Sequence, residues 1–255
     1  MKSIDARNPL LLVAHPGHEL LLYGWMLQAR PRVCVLTDGS GHHDASRLHA
    51  TKELLDSVGA DAGEIFGRFT DREVYAALLE GRPDAIEALV EEVAEMLVRH
   101  RIDAVVADAM EGFNPVHDLC RIIAGAACEL AGGTIRCYEY PLHAGPQART
   151  ANSIVYELDD ATLARKLAAA RKMSAAISDI AGMLAEFGEE SFRCESFTVA
   201  PTWTSPGWPA GERPLYERFG EERVADGRYG SVIRYAEHFQ PLLHTLGAKL
   251  EQCAS

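Results

Sequence analysis

Pro9-Leu10-Leu11-Leu12-Val13-Ala14 is a continuous apolar run that breaks at once into His15-Pro16-Gly17-His18-Glu19. A run this short, without polar alternation, fits a strand buried on both faces. The pattern recurs downstream. Residues 32–37 (Arg-Val-Cys-Val-Leu-Thr) read as a second strand and end in Asp38-Gly39-Ser40-Gly41. Ser46 to Val58 has helical spacing and stops at Gly59. Residues 63–66 fit a short third strand, Asp84 to His100 an amphipathic helix, 102–107 a fourth strand, Asp118 to Ala131 a helix, and 134–138 a fifth strand. Strand and helix alternate through about the first 140 residues, which predicts an α/β fold: a mostly parallel sheet with helices on both faces.

The second half reads differently. Asp160 to Phe187 has the pattern of one long helix, Pro201 to Pro214 is a loop with four prolines and two tryptophans, and Tyr229 to Leu246 holds a strand or short helix and then a terminal helix. There is no repeat or low-complexity stretch. The expectation is one domain over 1–255, with 1–145 as the core bearing the site and 146–255 as an extension that packs on the same core and shapes the pocket.

Composition narrows the function. The 255 residues include 25 Lys+Arg against 37 Asp+Glu, a formal charge of −12, which argues against binding nucleic acid or anionic membrane. No segment approaches the roughly 20 apolar residues of a membrane span. The first residues lack the apolar core of a signal peptide. The six scattered cysteines form no C-x-x-C and read as reduced thiols. A cytoplasmic protein acting on a small-molecule substrate is expected, with a homo-oligomer left open.

Ligands of open α/β sheets bind beyond the carboxyl ends of the strands. Three strand ends bring imidazoles and carboxylates to that edge: His15 and His18 after the first, Asp38 after the second, and Asp108, Glu111, Asn114, His117 and Asp118 after the fourth. His15 and His18 are three apart, and His117 could add a third nitrogen, the usual count for a catalytic zinc.

Val13-Ala14-His15-Pro16-Gly17-His18-Glu19 resembles the A-H-P-D-D-E motif of the LmbE-like (PIG-L-like) deacetylases, zinc-dependent N-acetylglucosaminyl deacetylases with a Rossmann-like fold. Arg47, twelve residues before Gly59, resembles the family arginine ahead of its L-G, and Asn114-Pro115-Val116-His117 resembles the family's H-P-D-H. Lys166 to Ser174 is similar, more loosely, to a later family helix. The resemblance covers residues 9 to about 145. It implies a metal site made of His15, His18 and His117. It also implies two losses, because Gly17 stands where the family has its general base and Asn114 where the family has the histidine that assists the oxyanion or leaving group.

Replacing a ligand carboxylate by a neutral imidazole raises the charge of the site by one, and water on a three-histidine zinc has a pKa near about 7. Asn114 could donate to an oxyanion but cannot deliver a proton. Glu111 is the favoured replacement base, with Asp108, Asp38 and Asp118 as other candidates. Asp118 and Glu19 suit the support of an imidazole N–H. Arg47 and Asp38 are candidate substrate contacts. His42, His43 and Asp44 read as a solvated loop, while His143 and Glu139 after the fifth strand could face the site. Trp203 and Trp208 could stack on a sugar or anchor their loop. The resemblance implies a hydrolase that removes an acyl group from an N-acylated amino sugar or small glycoconjugate with zinc (Zn2+). The alternatives are ferrous iron (Fe2+) on three histidines acting on a small metabolite, and a ligand-binding protein without catalysis.

Overall fold

The computed structural model describes residues 4–41, 45–145, 148–200, 203, 208–209 and 212–253. The opening apolar run is β1 (Pro9–Val13), and all five of its residues are buried. A turn of 3-10 helix (His18–Leu22) leads into α1 (Tyr23–Ala29), β2 (Arg32–Thr37) and α2 (Leu48–Val58). Then follow β3 (Asp61–Phe69), α3 (Asp71–Leu79), α4 (Pro83–Arg99), β4 (Ala104–Asp108), α5 (Pro115–Leu130) and β5 (Arg136–Tyr140). The remainder holds β6 (Ile154–Glu157), α6 (Asp160–Met173), α7 (Ser178–Phe187), β7 (Cys194–Val199), α8 (Leu215–Ala225), a π turn (Tyr235–Phe239) and α9 (Gln240–Cys253).

The sheet order is β3-β2-β1-β4-β5-β7-β6. The first five strands are mutually parallel, and β7 pairs antiparallel with both β5 and β6. Strand alternation sends side chains to opposite faces. Leu10 and Leu12 join one core with Val93 and Leu97 of α4, Ile123 of α5 and Leu243 of α9. Leu11 and Val13 join a second core with Trp25 of α1, Leu54 of α2 and Leu167 of α6. Each such buried aliphatic side chain contributes about 1.5–3 kcal/mol, so the central strands anchor both helical layers. The strand order reverses between β1 and β4, opening a crevice beyond their carboxyl ends.

Four sequence expectations are corrected. The long helix expected over 160–187 is two helices. Ile177 is extended (φ −125°) and buried, so the chain turns there to press Ile177 and Ile180 inward. β6 and β7 went unread because β7 carries Glu195 at a fully buried position. That carboxylate accepts from Gly24 N–H and Trp25 N–H at 2.7 Å, at the start of α1, and from Lys166 Nζ at 2.8 Å. α3 and α8 were also missed. Finally, α5 begins at Pro115 rather than Asp118, with Asn114 as its N-cap accepting from Val116 N–H at 2.8 Å.

Candidate active site

The crevice opens into a cavity of about 880 Å³ whose lining includes His15, His18 and His117. His15 and His18 leave the end of β1, while His117 sits in the first turn of α5, after β4. Their ring centroids are 5.3 Å (His15–His18), 5.2 Å (His15–His117) and 4.5 Å (His18–His117) apart.

Buried partners orient two of these rings. Thr37 Oγ1 donates its one proton to the Ala14 carbonyl at 3.1 Å, so it accepts from His15 Nδ1–H at 2.8 Å. Asp71 Oδ1 lies 2.9 Å from the same nitrogen, less well aligned, and Asp71 Oδ2 accepts from Gly41 N–H at 2.6 Å. With its proton on Nδ1, His15 keeps a lone pair on Nε2, which is buried and without a partner among the described residues. His18 Nδ1 bonds Asp108 Oδ2 at 2.8 Å. Asp108 is fully buried and also accepts from Ala14 N–H and Tyr140 O–H at 2.8 Å each.

The electrostatics follow this pattern. Burial opposes a charge on His18, but adjacent Asp108 outweighs it and the pKa is raised. Burial likewise opposes ionisation of Asp71, yet the His15 contact holds its carboxyl well below the usual range. His117 has burial against it, then His18 and His15 beside it, so it stays neutral far below its ordinary value. The site thus gathers three imidazoles, two of them backed by carboxylates, the pattern of metal-ligating histidines.

The fit to a metal can be tested on spacing. Three imidazoles ligating one tetrahedral ion at about 2.0–2.1 Å have ring centroids about 5 Å apart. No three His, Cys, Asp or Glu side chains among the described residues close on a common point tightly enough to count as a formed metal site. The centroid spacings and the buried Nε2 of His15 nevertheless match three imidazoles set around one such ion. The residues fit a zinc-type ion.

The remaining candidates separate on geometry. Arg47 and Asn114 line the cavity. The cap uses the Asn114 carbonyl oxygen, so its amide nitrogen is the atom left to donate. Glu111, the favoured base, is not among the residues lining the cavity, and its carboxylate accepts from Leu142, His143 and Ala144 N–H at 2.9, 2.7 and 2.9 Å, clamping the loop after β5. Asp108 is buried behind His18, bonded to its Nδ1, and is not among the residues lining the cavity. Asp118 supports no imidazole, since its Oδ1 accepts from Glu111 and Gly112 N–H at 3.1 Å each, and burial pushes its carboxyl up to about 7. Glu19 is wholly buried, which raises its pKa, and it accepts from Gly17 N–H at 2.8 Å rather than from an imidazole. Asp38 is turned into its own loop, accepting from Ser40 N–H at 2.9 Å and, through its carbonyl, from Arg47 N–H at 2.8 Å. It fixes the Arg47 backbone and is not among the residues lining the cavity.

Glu139 pairs with Arg121 at 2.8 Å. Trp208 packs over Gly112 and donates its backbone N–H to Tyr235 Oη, while Trp203 lines a separate groove against α9. Neither tryptophan is among the residues lining the cavity. His143 does line the cavity, stacked on Phe113 at 4.0 Å and 10°. His42, His43 and Asp44 lie outside the described residues.

Gly17 explains the missing base. Its φ is +105°, a conformation that side chains rarely adopt. A Cβ there would stand 3.1 Å from Ile177 Cδ1 and 3.3 Å from Ile180 Cδ1. Apolar side chains thus fill the space a carboxylate would need.

Sequence reasoning missed Asp71, Thr37 and the residues of α3, α7 and α8 that line the cavity. A signal for Asp71 existed. Thr70 and Glu73 form a capping box directly after β3, which marks a helix start at a strand end.

No protein-family profile matches the sequence, and no curated protein matches it significantly. Solved structures do match. A deacetylase triple mutant involved in the teicoplanin biosynthetic pathway aligns at TM-score 0.55 and 14% identity, over 76% of this chain and 98% of its own. The A40926 pseudoaglycone deacetylase aligns at TM-score 0.54 and 17% identity, over 88% and 95%. A conserved protein of Thermus thermophilus aligns at TM-score 0.51 and 18% identity, over 80% and 99%. These likenesses concern the backbone: the chain shares the α/β fold of these deacetylase structures.

Proposed function

We propose that this protein is a zinc-dependent amide hydrolase that removes an acyl group from an N-acylated amino sugar or similar small molecule. The observation that carries the reading is the convergence of His15, His18 and His117, with Nδ1 of the first two held by Thr37 and Asp108 and Nε2 of His15 left buried and unpartnered. The fold shared with deacetylases of glycopeptide pathways agrees with it. No observation favours the ferrous-iron or the non-catalytic reading.

His15, His18 and His117 would hold the ion. Bound there, zinc would polarise the acyl carbonyl and make water more acidic. Asp108 and the Thr37–Asp71 pair keep His18 and His15 in one tautomer and one orientation, which removes the cost of ordering them during the reaction. The Asn114 amide nitrogen donates to the oxygen on which charge develops. Hydrolysis breaks the carbon–nitrogen bond and must return one proton to the leaving amine. His143, fixed by its stack on Phe113 and by the Glu111 clamp on its backbone, is the cavity imidazole suited to carry that proton. The Ile177–Ile180 wall keeps water off this side of the site.

The test is release of free amine from a panel of N-acetylated amino sugars, read with an amine-reactive fluorophore. Activity should fall at least about tenfold in Asn114→Ala and about a hundredfold in His143→Gln, with zinc content unchanged. Full activity in both variants would remove these roles. No amine from any zinc-loaded sample would remove the amidase reading.

A further inference from the structure

The proposed reaction leaves one stretch of the cavity wall without a task. α3 and the segment that runs from α8 bring Arg72, Tyr75, Arg223, Arg228 and Tyr229 to it. The Tyr75 and Tyr229 rings lie 6.3 Å apart at 57°, and the Arg223 guanidinium sits over Tyr229 at 5.5 Å. The aromatic face thus holds Arg223 in position, and an arginine fork ordered in advance loses less on binding an oxyanion. Arg228 has a carboxylate beside it, Asp226 at 3.8 Å, but both are exposed. Burial pushes the Tyr75 phenol up, so it stays a neutral hydroxyl.

Charge makes the arrangement informative. The chain carries a formal −12, yet three arginines gather on this wall. The cavity lining as a whole carries Arg47, Arg72, Arg223 and Arg228 against Asp71, Asp179 and Glu186, and a local excess of one sign concentrates ligands of the other sign even against the field of the whole molecule. Asp71 and Arg72 are neighbours in sequence, so the wall begins one residue from the partner of His15. One small molecule in an 880 Å³ cavity can reach both.

We propose that Arg72 and Arg223, with Arg228 at the rim, bind an anionic group of the substrate, a carboxylate or a phosphate ester carried away from the scissile amide. This rests on the amidase reading of the site, and it narrows the substrate to an anionic N-acyl compound.

The experiment titrates inorganic phosphate and malonate into full-length protein at constant ionic strength, following thermal unfolding. Zinc is measured on the same samples. Wild type should be stabilised saturably by at least one of the two anions, and the tighter one identifies the group. The response should weaken at least tenfold in Arg72→Met/Arg223→Met and severalfold in each single variant, so the inference survives a double variant that folds poorly. It should be unchanged in Arg165→Met, an exposed residue of α6, and should persist in His117→Ala. No saturable response in wild type, or an undiminished one in the arginine variants, overturns the proposal. So does a response abolished by His117→Ala, which would put the anion at the histidines. Zinc binding without anion binding would defeat this inference alone, and anion binding without zinc would defeat the amidase reading alone.

Discussion

Replacing Asp108 by Asn keeps the shape of the side chain and removes only its charge. Asp108 accepts three hydrogen bonds, from Ala14 N–H and His18 Nδ1 on Oδ2 and from Tyr140 O–H on Oδ1. An asparagine oxygen at the Oδ2 position retains the first two, and the amide then faces the Tyr140 oxygen. His18 stays in position but loses the negative charge that raises its basicity. Loss of such a partner costs about 10–100-fold in metal affinity, or about 1.4–2.7 kcal/mol. Zinc affinity is measured by competition with a chromophoric chelator, and unfolding by circular dichroism. The expected result is weaker zinc binding by one to two decades in a variant that is still folded. Asp108→Ala should instead lose stability, because two further buried donors are orphaned at about 1–3 kcal/mol each. Zinc affinity within twofold of wild type in a folded Asp108→Asn protein would refute the reasoning, since the carboxylate would then not act through His18.

Further predictions concern the frame of the site. Lys166 and Glu195 are both fully buried and paired at 2.8 Å, so Lys166→Met leaves a buried carboxylate with its two backbone N–H donors but no counter-charge and should cost about 3–5 kcal/mol. Thermal unfolding should fall by roughly 10 °C or more, whereas an unchanged midpoint would mean that Glu195 finds another partner. Gly17→Asp should not restore a general base. It should destabilise by about 1–3 kcal/mol through the backbone alone, with partial recovery on adding Ile177→Ala, and a stable, more active single variant would contradict the role given to Gly17. For Asp118, the folded-state pKa of about 7 lies above its ordinary 3.8, so its contribution is intact at low pH and is lost as pH rises to about 7. Asp118→Asn should therefore match wild type near pH 4 and be more stable at pH 8, by at most about 4 kcal/mol. Equal differences at both pH values would rule that out.

What the sequence disclosed follows from how locally each feature is encoded. β1 and β2 were legible because strands buried on both faces read as continuous apolar runs. The trio His15, His18 and His117 was legible because topology alone sends strand ends to one edge. β7 was hidden by Glu195, whose charge makes sense only beside Lys166, 29 residues away. The break between α6 and α7 was hidden because Ala175 and Ala176 suit a helix, and only the packing of Ile177 against Gly17 ends it. The surroundings of Glu111 were hidden for a related reason. Composition marks Glu111 as a carboxylate near the site, but its commitment to three backbone N–H groups of a distant loop is a tertiary fact. The cationic wall was invisible for the same cause, since Arg72 and Arg223 are some 150 residues apart in the chain. No helix among the described residues is long and apolar enough to cross a membrane.

The central claim is that three histidines from two strand ends hold one metal ion. Elemental mass spectrometry of untagged protein, beside His15→Ala and His117→Ala, tests it most directly. The account predicts about one zinc per chain in wild type, lost in both variants while each keeps its circular dichroism spectrum. No stoichiometric metal in wild type, even after incubation with zinc, would contradict it.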